Sequence, residues 1–170
     1  MGLRRPAPSL RARALGYLSL REHSRSELRR KLLNVLRRQQ AAAGPSEEAP
    51  APPDEAELDA LLDALAREGW LSDSRYIESR LRTRSPRLGA RRLAAELAQQ
   101  GLKPEGETWE QVQASEAERA QALLLRRFGE DPPGDAKERA RRVRFLVSRG
   151  FAQGLALRLT RPDAASDTLD

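Results

Sequence analysis

Cysteine is absent from this chain, and histidine occurs once, as His23. Without cysteine there are no disulfides, no thiolate metal sites and no cysteine nucleophile. A lone histidine leaves a histidine-based metal site or a serine–histidine triad without the partners it needs. Aromatic residues are few, with two Trp, two Tyr and three Phe in 170 residues. A stacking platform for single-stranded nucleic acid therefore has little material. Long apolar runs are missing too. The stretch from Ala14 to Leu20 holds Gly16 and Ser19 and stops at Arg21-Glu22, too short and interrupted for a secretory signal or a membrane span. Pro6 breaks the N-myristoylation pattern. The chain shows no phosphate-cradling glycine loop, no metal-ligand spacing and no nucleophile beside a base. The expectation from these absences is a cytoplasmic protein that is not an enzyme, with no catalytic residue, no cofactor, no metal and no membrane partner.

What the chain has is arginine, leucine and alanine. Leu and Ala supply most of the apolar content, a composition suited to helix rather than sheet. The net charge is +6, and its distribution says more than its total. Residues 1–38 hold eleven basic and two acidic residues, and residues 39–70 hold one and eight. Residues 71–103 hold eight and three, 104–134 three and seven, and 135–170 eight and five. Such alternation fits repeated units, each with a basic and an acidic part. An ordinary solvated surface with long-range charge balance fits it equally well.

Helical periodicity runs through most of the chain. A first helix is expected from about Ser9 to Glu22, with Leu10, Ala14, Tyr17, Leu18 and Arg21 on one face. The second opens with a capping box, Ser24 and Glu27, and carries Leu28, Leu32, Val35 and Leu36. Gln39 to Pro53, with four prolines among small and acidic residues, reads as a flexible linker. The third helix opens at Asp54, presents Leu58, Leu61, Leu62 and Leu65, and stops at Gly69. A fourth starts after Ser72-Asp73 with Tyr76, Ile77 and Leu81, and ends near Pro86. A fifth covers about Leu88 to Gln100, with Leu93 and Leu97 inside. A short sixth carries Trp109 and Val112. The seventh carries Ala120, Leu123, Leu124 and Phe128. The eighth carries Ala140, Val143, Leu146 and Val147, and a short ninth lies near Ala152 to Leu159. Nine helices fall into three sets of three. The middle helices resemble one another: L-R-R-K-L-L, L-A-A-E-L-A-Q-Q-G-L and V-R-F-L-V-S-R-G-F. The expected fold is all-α, three tandem three-helix repeats forming an elongated, curved protein. Their spans are residues 9–70, 71–114 and 115–160, followed by a disordered tail over 161–170. Each set is too small to bury a good core alone, so neighbours should support one another.

Three basic clusters are candidate binding surfaces, because guanidinium forks suit phosphate and carboxylate. The first is Arg80, Arg82, Arg84, Arg87, Arg91 and Arg92, with only Glu78 and Glu96 nearby to neutralise it. The second is Arg29, Arg30 and Lys31. The third is Arg139, Arg141, Arg142 and Arg144. Each could equally be a solvated helix face. Sequence-specific base reading would need Asn or Gln aimed at base edges. The second helix has one Asn and the eighth none, so backbone contact is the form of nucleic-acid binding left open. His23 reads as a packing or hydrogen-bonding residue at a helix start, and Asp73 as a helix-start carboxylate bound to free amides. Trp70 and Trp109 read as packing anchors between helices.

Four segments then carry a resemblance: R-E-H-S-R-S-E-L-R-R-K-L, L-L-D-A-L-A-R-E-G-W-L-S-D-S-R-Y-I-E-S, R-L-G-A-R-R-L-A-A-E-L-A-Q-Q-G-L and R-F-L-V-S-R-G-F. In order and spacing, over about residues 10 to 158, the chain resembles the RecX family, bacterial regulators of the recombinase RecA. The resemblance implies three tandem three-helix repeats. It also implies binding along the groove of the RecA–DNA filament, with inhibition of ATP hydrolysis, strand exchange and co-protease action in recombination, repair and the SOS response. It implies no catalytic residue. The implied partner is RecA on DNA, with single- or double-stranded DNA as a possible direct contact, and the protein is expected to be a monomer. The alternative is a sequence-tolerant DNA-binding protein acting through the same basic faces. The chain departs from the family pattern in the 39–53 segment, where a short glycine-ended connection is usual, and in K-P-E-G-E-T-W-E-Q-V after Gly101.

Overall fold

The computed structural model describes residues 8–43 and 54–161. These contain nine α-helices and no strand: α1 (Leu10–Leu18), α2 (Arg25–Ala43), α3 (Glu55–Arg67), α4 (Asp73–Arg84), α5 (Ala90–Ala98), α6 (Glu107–Ala114), α7 (Glu116–Phe128), α8 (Ala136–Ser148) and α9 (Gln153–Leu159). A single 3₁₀ turn, Ser85–Arg87, follows α4. The chain divides into two compact units, one ending at Tyr76 and one beginning at Ile77.

In the first unit, α1 packs on α2 and α2 on α3. The apolar positions spaced by helical turns meet as one core: Ala14, Leu28, Leu32, Leu58, Leu62, Leu65 and Leu71, with Leu10, Tyr17, Leu18 and Leu61 around it. Each of the fully buried leucines contributes about 2 kcal/mol relative to exposure. The α2 start is capped as its sequence implies, Ser24 Oγ accepting from the Glu27 amide at 3.0 Å. Asp73 behaves differently from a carboxylate serving its own helix. Its Oδ1 accepts from the Arg25 amide, the first of α2, at 2.8 Å, while Ser72 Oγ accepts from Arg75 N at the start of α4. A carboxylate from another helix thus satisfies an orphan donor and favours the positive end of the α2 dipole.

Three expectations are corrected in this unit. The first helix ends at Leu18, short of Glu22, because Ser19 Oγ takes the Gly16 carbonyl and turns the chain. Arg21 therefore leaves the apolar face and hydrogen-bonds the Glu27 carboxylate. The second helix runs on to Ala43 through Gln39, Gln40 and three alanines, all good helix formers; the rest of the expected linker, 44–53, lies outside the described residues, as does the expected tail from 162 onward. Trp70 is 54% exposed and does not anchor packing. The amides of Trp70 and Leu71 both bond the Leu65 carbonyl, and it is Leu71, 4% exposed, that folds back onto the core.

In the second unit, α7 packs on α6, α8, α9 and the 3₁₀ turn, and α8 packs on α9. Ala120, Leu123, Leu124, Leu146, Phe151, Leu155 and Ala156 are its core, flanked by Phe128, Val143 and Phe145. Helix α8 ends as its sequence suggests. Gly150 sits at φ +86, and the Phe151 amide reaches back to the Leu146 carbonyl at 3.2 Å, which drops Phe151 into the core. The start of α5 lies directly against this turn. Gly89 N donates to Arg149 O at 2.9 Å and Arg91 N to Gly150 O at 3.2 Å. A Cβ on Gly89 would lie 2.3 Å from Phe151 N, and one on Gly150 would lie 2.3 Å from Arg92 Cβ. Arg119 secures the same region, donating to the carbonyls of Ser85, Leu88 and Val112, the last at 2.7 Å. Burial pulls its guanidinium below the ordinary arginine range, and the three carbonyls keep its donors satisfied. Glu116 caps α5, accepting from Ala90 N at 2.7 Å.

Two predictions follow from this packing. Gly89→Ala should destabilise the protein by roughly 3 kcal/mol, because the obstructing atoms are backbone and cannot rotate away. Gly16→Ala, in an exposed helical position with open space around it, should stabilise by about 0.5–1 kcal/mol; urea titration of both variants is the check. The second concerns His23, which is 1% exposed, with Nδ1 2.9 Å from Arg21 O and Nε2 3.0 Å from Lys31 Nζ. Lysine can only donate, so Nε2 accepts and the ring is neutral with its proton on Nδ1. Burial disfavours the imidazolium most. The hydrogen bond to Arg21 O favours it, the charges of Arg21 and Lys31 oppose it, and Glu27 favours it; the net pKa is below the ordinary histidine value. The unfolded chain thus takes the proton more readily. The contribution of the neutral ring is complete above about pH 6.5 and is lost as pH falls below that. The urea midpoint should drop between about pH 7.5 and about pH 5.5, and His23→Gln should flatten this drop; an equal drop in the variant would locate the pH dependence elsewhere.

Candidate functional site

The three basic clusters meet different fates. In the second, α3 supplies the counter-charges. Arg29 Nη2 lies 2.6 Å from Glu55 and its Nε 2.9 Å from Asp59, so the hydrogen bonds it donates to Asp59 and then Glu55 raise its pKa above the ordinary arginine value. Lys31 is held by His23, by Glu27 at 3.8 Å and over the Tyr17 ring at 4.9 Å. Burial alone would raise the Glu27 carboxyl, but the hydrogen bonds and charge of Arg21 outweigh it and hold it below its ordinary value. Arg30 alone of this cluster is exposed with no carboxylate partner among the described residues.

The first cluster is divided by one carboxylate. Glu96 takes Arg84 Nη2 at 2.8 Å and lies 3.6 Å from Arg92 Nε. Burial would raise its pKa. The Arg84 hydrogen bond, with the charges of Arg84, Arg80 and Arg92, brings it below the ordinary carboxylate value instead. Arg82 on α4, Arg87 in the 3₁₀ turn and Arg91 on α5 are exposed. None has a carboxylate within ion-pair distance among the described residues.

The third cluster needs one correction. Arg142 is only 7% exposed and is a structural residue. Its Nη1 donates to Asp131 O at 2.7 Å and its Nη2 to Glu138 at 2.8 Å, and it lies over the Phe128 ring at 5.2 Å. It falls on the inner face of α8, one turn before the core residue Leu146. Those hydrogen bonds, led by Arg142 and followed by the Gly134 amide, hold the Glu138 carboxyl below its ordinary value. Arg139 is half-buried and donates to Leu157 O. Arg141 and Arg144 remain exposed, and two arginines absent from the sequence expectation join them. Arg127, Phe128, Arg141, Arg144, Phe145, Ser148 and Arg149 line one open cavity. Its floor is the edge-to-face pair Phe128–Phe145, ring centres 5.2 Å apart at 81°. Arg141, Arg144, Phe145, Ser148 and Arg149 recur at helical spacing, a signal readable in R-R-V-R-F-L-V-S-R; Arg127 comes from another helix and carries no such signal.

Among the described residues, no group of three or more His, Cys, Asp or Glu could hold a metal ion, and no helix is long and apolar enough to cross a membrane. Exposed guanidiniums are prominent on these surfaces.

Comparison with known proteins agrees with the helical architecture. The family model described as RecX, third three-helix domain, matches residues 114–159. The Regulatory protein RecX of Ralstonia nicotianae is 47% identical over 161 residues, covering 94% of this chain and 91% of that protein. The protein of the same name from Leptothrix cholodnii is 41% identical over 163 residues, 95% and 93% of the two chains. That of Neisseria meningitidis serogroup C is 37% identical over 147 residues, 86% of each. The resemblance seen in four motifs therefore extends along nearly the whole sequence, and the chain belongs to the RecX family of regulatory proteins.

Proposed function

We propose that this protein binds the RecA–DNA filament and lowers its ATPase, strand-exchange and co-protease activities, acting in the cytoplasm by binding rather than by catalysis. The observation that carries the reading is the set of exposed arginines left without carboxylates, Arg82, Arg87 and Arg91 foremost. Guanidiniums with free forks on contiguous segments make a surface for phosphates or for an acidic protein face. Membership in a family of regulatory proteins supports a binding role. On this reading the repeats 9–70, 71–114 and 115–160 each contribute a modest contact, and their linkage within one monomeric chain raises the combined affinity. Of the first cluster, Arg84 and Arg92 are engaged by Glu96 and hold the surface in place. Arg82, Arg87 and Arg91 meet the partner.

The test is RecA ATPase on single-stranded DNA with this protein titrated in. The protein should lower the rate, and a variant with Arg82, Arg87 and Arg91 all changed to Glu should need at least about tenfold more protein for the same inhibition, with a weaker dependence on salt. Equal potency of the variant would remove these arginines from the interface. No effect of the unmodified protein on RecA would remove the filament reading itself.

A further inference from the structure

The geometry points to a second binding site, the cavity between the end of α7 and the outer face of α8, as a cradle for the phosphodiester backbone of a nucleic-acid strand. This rests on the filament reading for its biological setting and deepens it, since it assigns a place where the strand itself is touched.

Three observations converge on this cavity. The first is its charge. Arg127, Arg141, Arg144 and Arg149 line an open space of about 360 Å³, with no carboxylate in the lining. Arg127 and Arg144 have no ion-pair partner among the described residues. Arg141 has only a loose one, Glu138 at 3.8 Å, and that same oxygen is already bound by Arg142 at 2.8 Å. Four guanidiniums so placed repel one another, and an anion relieves the repulsion.

The second observation is preorganisation. The Arg149 guanidinium lies 3.8 Å from the centre of the Phe145 ring and its Nη1 donates to Phe145 O. Arg141 lies over Phe128 at 5.1 Å. The two rings are locked edge to face, so these long side chains are held on fixed supports and lose less freedom when they bind. A planar fork held in this way can donate two parallel hydrogen bonds to phosphate oxygens.

The third observation selects the partner. The aromatic faces that could anchor a protein side chain are occupied by guanidiniums, so the cavity lacks the open apolar pocket on which protein interfaces concentrate their affinity. A nucleic-acid strand has no need of such an anchor. Its phosphates bind charge, and its bases can lie on the outer faces of guanidinium planes. The open shape suits a chain passing through rather than a small ligand enclosed.

The experiment is fluorescence anisotropy of a labelled oligo-dT strand over a range of salt concentration, on the full chain. Arg127→Gln with Arg144→Gln removes the two exposed members that have no ion pair, Arg127 lying 6.0 Å from the Phe128 ring centre, and leaves Arg141 and Arg149 on their rings. The variant should bind at least about tenfold more weakly. Its plot of log affinity against log salt should be shallower by roughly 1.4, the value for two lost phosphate contacts on a single strand. Its thermal melt, followed by circular dichroism, should match that of the parent. Arg127→Lys with Arg144→Lys should restore the slope and only part of the affinity, because charge returns without the fork. Unchanged affinity and slope in the double Gln variant would overturn the proposal, even if RecA ATPase inhibition by the parent protein persisted. The proposal would also be overturned if poly-glutamate, but not the strand, lost affinity in the variant, since the cavity would then serve an acidic protein. Cavity-dependent strand binding by a protein that leaves RecA ATPase untouched would uphold the cavity and sink the filament reading.

Discussion

Two stretches of backbone in the unit from Ile77 onward lie closer together than any side chain allows, and much of that unit hangs from the contact. The start of α5 hydrogen-bonds the turn that ends α8, Gly89 N donating to Arg149 O and Arg91 N to Gly150 O, with a glycine on each side. That contact sets where Phe151 enters the core and where α5 begins. Arg119, from α7, then ties the 3₁₀ turn, the loop before α5 and the end of α6 to one guanidinium. A half-buried charge is tolerable there because three carbonyls accept from it and the Phe151 ring lies 5.9 Å away. Helices this short bury little area each, so a few directed polar contacts fix their arrangement, and apolar packing supplies most of the free energy.

The alternation of basic and acidic segments has two meanings in the folded chain. In the first unit it is largely internal. The acidic α3 lies along α2 and takes Arg25 and Arg29 through Glu55, Asp59 and Asp63. Solvent screens exposed pairs of this kind strongly, so their main effect is to choose which helix faces meet. From Arg82 onward the basic residues outnumber the carboxylates in reach, and the surplus points to solvent. The same composition therefore produces a neutralised face in one unit and charged faces in the other.

The existence and type of the helices were legible from the sequence, because the deciding interactions are local. Leu58, Leu61, Leu62 and Leu65 repeat at helical spacing, Ser24 precedes Glu27 by three, and Gly69, Gly101 and Gly150 follow the helix ends within three residues. Helix lengths were legible where a breaker stood and not where good helix formers ran on, as at Gln39 to Ala43. Long-range pairing was illegible. Nothing local says that Asp73 caps a helix starting 48 residues earlier, or that Arg142 turns inward while Arg141 and Arg144 turn out. The candidate site was thus half readable: its residue type and helix were visible, but the subset left without partners depends on carboxylates and rings brought in from elsewhere in the chain.

Glu96 gives this division a further consequence. One carboxylate, 24% exposed at its side chain, holds Arg84 and Arg92 and lies within electrostatic reach of Arg80. The number of arginines a passing anion can use on this surface is therefore set by a single acidic position. Gain or loss of one carboxylate here would change the number of unpaired charges in whole steps without disturbing a core residue. The charge on this face can change while the fold stays still.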